Sequence, residues 1–137
     1  MVKGWGTTSL SGFSEKIDLA KSKNKTVGGF FYEPIMGVRG SVLLPSEYID
    51  GIGKICRKNN ILMIADEVTT GVGRTGKFAY SQSFSEKPDI LCMGKAISAG
   101  HYPVAVTLVN EKIVDAWDKL EEKGIDPVLF RLTDKDF

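Results

Sequence analysis

Cysteine and histidine are scarce in this chain. Its 137 residues hold two cysteines, Cys56 and Cys92, and a single histidine, His101. The cysteines lie far apart and neither has a CxxC partner. That argues against a zinc site or a disulfide scaffold, and it fits a reducing compartment, the cytoplasm. One histidine leaves no room for a His-based metal centre, so no metal is expected, and it all but excludes a Ser-His-Asp triad. An excess of charge is also missing. Lys and Arg number 18 against 17 Asp and Glu, a net charge of +1, so nothing favours nucleic acid or an acidic membrane as partner. No apolar run approaches the roughly 18 residues of a membrane span, and no signal peptide opens the chain. Internal repeats and low-complexity tracts are absent as well.

What is present suits one ordinary globular domain: 42% apolar and 26% charged residues. Residues 1–13 read as a loose lead-in. Ser14 is the expected cap of a short helix, SEKIDLAKSK, with Ile17 and Ala20 inward. GGFFYEP is a short buried strand stopped by Pro34, and GVRGS a loop. From Pro45-Ser46, a helix is predicted by the spacing of Tyr48, Ile49, Ile52, Ile55 and Cys56. Glu47 sits in its first turn and Arg57 and Lys58 in its last, as the helix dipole prefers, while Gly51 and Gly53 weaken it. ILMIA, DILCM and VAVTLV are continuous apolar runs, the mark of strands covered on both faces. Asn110 caps a last helix with Ile113, Val114, Trp117 and Leu120 on one face, and Gly124 is its stop. IDPVLFRLTDKDF has no clear period. Alternating strands and helices predict an α/β fold with a mostly parallel sheet and flanking helices. In such sheets ligands bind at the carboxyl ends of strands, where Asp66 and Lys95 fall.

ILMIADEVTTGVGRTGK, residues 61–77, looks at first like a nucleotide site: a strand ending in Asp66-Glu67, then a glycine-rich loop ending in Lys77. A phosphate-binding P-loop, however, needs an entry strand, a Ser or Thr after the lysine, and a following helix. Here Phe78 follows the lysine, and Thr69–Arg74 makes a poor strand. An NTPase is therefore not expected.

The informative partner is PDILCMGKAISAGHYP. A strand ends at Met93, and Gly94 leads to Lys95. Taken singly, a lysine past a strand and an acid at a strand end are ordinary surface polarity. Together they lie on one sheet edge and face one pocket, which is what pyridoxal phosphate chemistry requires. A lysine amine forms a Schiff base with the cofactor aldehyde, and an Asp beside the pyridine nitrogen keeps that nitrogen protonated. The released amine then moves the substrate proton as general base and acid.

MIADEVTTGVGRTG, twelve residues, then DILCMGKAISAG resembles the signature of class III pyridoxal-phosphate aminotransferases, the group with ornithine, 4-aminobutyrate and omega-amino acid aminotransferases. FYEPIMG resembles the family's EP-containing strand and loop. The similarity is strongest over residues 27–117. It implies a part of the fold type I large domain across residues 1–137, with pyridoxal 5'-phosphate as cofactor. It makes Lys95 and Asp66 the catalytic and cofactor-binding pair, Val68 the residue on the ring face, and GVGRTG a turn beyond the site. Glu33 is expected at the substrate edge, with a strand-end carboxylate bonded to backbone as the equal alternative. The resemblance gives His101 a structural role, and Arg74 either a contact with a neighbouring subunit or an anchor for its own loop.

The family's phosphate-gripping glycine/serine loop has no convincing counterpart in residues 1–26. Gly6–Ser9 has the residue types but lies too near the EP strand. The family's threonine region and small C-terminal domain have no match either. The resemblance thus implies a central slice of an aminotransferase: a truncated or split gene product, or a degenerate relative, that is expected to need the missing parts for catalysis. Where many members carry QGE after EP, this chain has Met36-Gly37-Val38, which looks more like members acting on omega-amino acids or amines with a keto-acid acceptor. The implied whole enzyme is a homodimer. An inactive fragment and an aminomutase or racemase on the same cofactor are the alternatives.

Overall fold

The computed structural model describes residues 9–125. The expectations for residues 126–137, and for the Gly6–Ser9 loop apart from Ser9, lie outside the described residues. The first helix, α1, spans Leu10–Ser22 and is capped by Ser9, whose hydroxyl accepts the Gly12 N–H at 3.1 Å. It therefore starts ahead of the expected cap at Ser14. The earlier start brings Leu10 and Phe13 onto the stripe led by Ile17, at the spacing of one helical face. Phe13 meets the Phe30 ring edge-on at 5.2 Å, and Leu10 lies over Gly51.

Four strands form the main sheet: β1 (Gly29–Tyr32), β4 (Leu62–Asp66), β5 (Ile90–Met93) and β6 (Val106–Val109), in the order β1-β4-β5-β6. The first three are parallel, and β6 runs antiparallel to β5. The sheet is thus mostly parallel, as predicted. A small antiparallel ladder, β2 (Ile35–Met36) with β3 (Val42–Leu43), follows Pro34, and its turn closes through Gly40 and Ser41 at φ 83° and 58°. Helix α2 (Ser46–Asn59) carries the chain from β3 back to the start of β4, and Asn60 ends it in the left-handed conformation.

Alternation along the strands decides which face is covered. Met63 and Ala65 of β4 are fully buried, and the register places them beside Phe30 and Tyr32 of β1. They pack with Ile49, Ile52 and Cys56 of α2, Ile17 of α1, and Phe84. The opposite face carries Phe31, 60% exposed, next to half-buried Ile64. So ILMIA is buried on one face and only partly covered on the other, DILCM is mostly half-buried, and VAVTLV, on the sheet edge, holds no buried residue and is not the doubly covered strand expected. Gly51 and Gly53 prove to be approach points, beyond any loss of helix propensity. A β-carbon on Gly53 would lie 2.5 Å from Cβ of Glu86 and 3.0 Å from the Met63 sulfur.

The amino end of β5 is fastened by Asp89, a buried carboxylate. It accepts from Arg57 Nη1 at 2.6 Å, from the Met63 N–H at 2.8 Å and from Asn110 Nδ2 at 2.8 Å. One side chain therefore ties the end of α2, strand β4 and the head of the last helix, α3 (Glu111–Glu121). Asn110 also caps α3 by accepting the Ile113 N–H, as expected. Of the face expected to point inward, Ile113 is buried and Leu120 half-buried, but Val114 and Trp117 are exposed. The helix follows an edge strand, so little sheet lies under it. Among the described residues no helix is long and apolar enough to cross a membrane.

Gly53→Ala is expected to lower stability by about 1–3 kcal/mol, because the new methyl collides with a β-carbon close to backbone. Gly51→Ala meets only the δ-carbons of Leu10, which can swing aside. It is expected to be neutral or to gain up to about 1 kcal/mol of helix propensity. Urea midpoints of the two variants check this; equal losses would overturn it.

Burial pushes the Cys56 thiol up to about 11 against the opposing pull of Arg57. The buried Tyr32 hydroxyl is raised too, by burial first and then by the Glu67 charge. The unfolded chain releases these protons first, the thiol near about pH 8.5. The stabilising contribution is therefore whole below about pH 8.5 and is lost as pH rises towards 11. The slope is about 1.4 kcal/mol per pH unit for each group titrating. Urea midpoints are expected to fall across that window, and to fall less steeply in Cys56→Ala.

Candidate active site

Two neighbouring parallel strands deliver the expected pair to one end of the sheet. Asp66 is the last residue of β4 and stands opposite Cys92 of β5 in the register. Lys95 follows Cys92 by three residues. Asp66 continues the half-buried face of β4, opposite to the α2 side. Its Oδ1 accepts the N–H of Val68 at 3.0 Å, a tight local turn that fixes the carboxylate at the strand end.

The acid next to it has the opposite environment. Glu67 is fully buried. One oxygen accepts the Tyr80 N–H at 2.6 Å and the Thr70 hydroxyl at 3.0 Å; the other accepts the Ser81 N–H at 2.7 Å. Its own backbone N–H reaches the Cys92 carbonyl at 2.8 Å, and its carbonyl receives the Gly71 N–H at 2.8 Å. Glu67 thus staples both ends of the loop between β4 and the turn at Tyr80–Ser83. Nothing in the spacing of the sequence marks that role.

That loop holds GVGRTGK, and it closes on itself. The Val72 N–H meets the Phe78 carbonyl at 2.7 Å, and Gly73 meets the Lys77 carbonyl at 3.1 Å. Lys77 bonds the Ser83 hydroxyl at 2.9 Å, and a short 3-10 turn follows in place of a long helix. A helix N-terminus to hold phosphate is thus missing from this loop. Arg74 is exposed on it, and His101 is exposed beyond β5.

Lys95 opens a 3-10 turn, Lys95–Ser98, immediately after Gly94. Its φ is 45°, in the left-handed region that a lysine enters only at a cost. Gly94 is closely approached by its neighbour: a β-carbon there would stand 3.3 Å from a γ-methyl of Val68. Val68 therefore packs flat against the chain entering Lys95. The lysine side chain is exposed, and its Nζ donates to the Thr69 hydroxyl at 2.7 Å. This Thr69 contact escaped the reading of the sequence, since Thr69 carries no signal beyond its place in the motif.

Glu33 comes to the same neighbourhood through β1. Its Oε2 accepts the Gly37 N–H at 3.1 Å. A β-carbon on Gly37 would lie 3.8 Å from that oxygen and 3.9 Å from the Thr69 hydroxyl. Glu33 is thus bonded to the backbone of Gly37, and Gly37 also approaches Thr69, the lysine's partner. Val38 is 97% exposed. Among the described residues no group of three or more His, Cys, Asp and Glu side chains is arranged to hold a metal.

The family model Aminotransferase class-III matches residues 7–124. An ornithine aminotransferase of Plasmodium chabaudi chabaudi is 41% identical over 92 residues, which make up 67% of this chain and 22% of that protein. A vanillin aminotransferase of Capsicum frutescens is 44% identical over 89 residues, 65% of this chain and 19% of that protein. Among solved structures, an amine transaminase from an uncultivated Pseudomonas species, in a PLP-bound form, superposes with a TM-score of 0.77. It is 31% identical, over 90% of this chain and 27% of that chain. The chain spans about a fifth of the length of the curated relatives it matches.

Glu67→Ala is expected to cost about 3 kcal/mol, because the Tyr80 and Ser81 N–H groups lose their acceptor in a buried place. Glu67→Gln keeps one acceptor oxygen and is expected to lose less. Denaturation midpoints and amide exchange at Tyr80 and Ser81 measure both. Unchanged protection in Glu67→Ala would show that the loop is held otherwise.

Proposed function

The chain belongs to the class III aminotransferases, and from that membership we propose that residues 1–137 form part of the large, cofactor-binding domain of an enzyme that moves an amino group from an omega-amino acid or amine to a keto acid. The family depends on pyridoxal phosphate, and the α/β fold is shared with solved transaminases. We further assign the complete enzyme to the cytoplasm as a homodimer.

The observation that carries the reading is the convergence of Asp66, Val68 and Lys95 at the carboxyl ends of β4 and β5. The donor set fits the cofactor. A carboxylate is held by a single turn, an apolar side chain is pressed against the entry to the lysine, and an amine projects from the next strand. When bound, pyridoxal phosphate supplies an aldehyde to carry the amino group and a protonated ring to take up electrons from the substrate Cα–H bond. Lys95 would hold the cofactor through its amine, and its Nζ would be the group that moves the substrate proton. Asp66 would hold the ring nitrogen of the cofactor, its negative charge favouring the protonated form there. Val68 would supply the apolar side chain against the ring and exclude water there. Glu33 lines the substrate edge, its Oε2 fixed by Gly37.

Val38, where many members carry a glutamate, supports an omega-amino acid or amine donor, as do relatives named for ornithine and vanillin.

In the complete enzyme, borohydride is expected to fix the cofactor covalently on Lys95; label on another lysine would sink the assignment. Asp66→Ala is expected to retain that fixation and to slow proton abstraction by orders of magnitude. The purified 137-residue chain is expected to bind pyridoxal phosphate weakly and to show no transfer from amine to keto acid. Tight stoichiometric binding with steady turnover would refute the fragment reading.

A further inference from the structure

We propose that Thr69 is a positioning residue: its hydroxyl docks the Lys95 amine whenever that amine is not bonded to the cofactor. The functional meaning rests on the reading of Lys95 as the cofactor lysine. The contact itself stands on geometry alone.

Three observations carry it. The first is the bond, Nζ to the Thr69 hydroxyl at 2.7 Å, made across 26 residues of sequence by a side chain otherwise open to solvent. A long, flexible lysine at a surface has many alternatives, and one short bond selects among them. The second is that both ends of the contact are fixed independently. Lys95 leaves the backbone at a φ of 45°, directly after a glycine against which Val68 is packed. Thr69 sits between Glu67 and the residues that Glu67 holds: its buried carboxylate accepts the Thr70 hydroxyl, and its carbonyl accepts the Gly71 N–H. A β-branched threonine has few side-chain rotamers to lose, so its hydroxyl keeps one direction. The third is the setting. The methyl of Thr69 faces Gly37, whose added β-carbon would lie 3.7 Å from it, beside the carboxylate of Glu33. The docked amine therefore waits at the mouth where the EP loop and the strand ends meet. A lysine that is released and recaptured in each turnover needs such a berth, since an untethered amine spends its time in solvent, away from the carbonyl it must meet again.

The test is trace acetylation of the cofactor-free 137-residue chain with limiting acetic anhydride. In that reaction the amine nitrogen bonds the carbonyl carbon, acetate leaves and the proton passes to buffer. A docked amine must first leave the hydroxyl, so docking slows its acylation. Peptide mass spectrometry gives the ratio of label on Lys95 to label on Lys54 and Lys119, exposed helical lysines of the same molecule. Thr69→Val, which keeps the shape and removes the hydroxyl, is expected to raise that ratio by about threefold, the scale of one hydrogen bond at a surface. Thr69→Ala is expected to raise it likewise, and Thr69→Ser to keep it near wild type. An unchanged ratio in both hydroxyl-free variants overturns the proposal. So does a shift in Thr69→Ser as large as in Thr69→Val, which would mark a packing role. Borohydride trapping with pyridoxal phosphate in the complete enzyme separates the two readings. Fixation elsewhere retires Lys95 as cofactor lysine and leaves the acetylation ratio to decide the contact on its own.

Discussion

The carboxylate of Glu67 is the fixture on which the rest of the site depends. Where β4 ends, the chain must turn away from the sheet, and a turn at a buried strand end exposes backbone N–H groups that need partners. Glu67 supplies acceptors for the Thr70 hydroxyl near the start of that loop and for the Tyr80 and Ser81 N–H groups where the loop ends. Asp66, one residue before, is thereby left at a defined place with only its own local turn to satisfy. Val68 and Thr69, just beyond, are carried on a backbone held from both sides. Asp66 and Lys95 make few bonds, while their neighbour Glu67 makes many.

A second buried carboxylate does the same work at the other end of the sheet. Asp89 gathers Arg57, Met63 and Asn110 where β5 begins. Strand β5 thus enters the core pinned and leaves it at Gly94 and Lys95 with a strained backbone. Strain of this kind persists only where the surroundings overdetermine it. The short distance from Asp89 to Lys95, with the strand's buried contacts between them, provides that overdetermination.

These through-space roles explain what was legible in the sequence and what was not. The three apolar runs gave away β4, β5 and β6, and the helical spacing of Ile49, Ile52 and Cys56 gave away α2, because each is a periodic pattern within one segment. Asp66 and Lys95 were legible as strand-end residues that belong together. The partners of Glu67 and Asp89 were not, since they lie up to 32 residues away and follow no period. The start of α1 was missed because Ser11 and Gly12 look like loop, although Leu10 and Phe13 fall on the helix's inner face. The direction of β6 was equally hidden: an apolar run has no arrow. Gly51 and Gly53 were legible only as weak helix formers, because the close neighbours that need them come from Leu10 and Glu86.

The reversed direction of β6 bears on how the chain assembles. The β5–β6 ladder pairs Met93 with Val106, a loop of about a dozen residues, whereas β4–β5 pairs Ile64 with Ile90 and β1–β4 pairs Phe31 with Ile64. Closing a loop costs more entropy as it lengthens, so the hairpin is the most local of the three ladders and the cheapest to nucleate. The turn bearing Lys95 lies inside that hairpin. Its neighbourhood therefore takes shape in a short-range event, while Asp66 reaches its place opposite Cys92 only when the longer parallel closure is complete. The two groups of the site are contributed by the fast and the slow halves of one sheet.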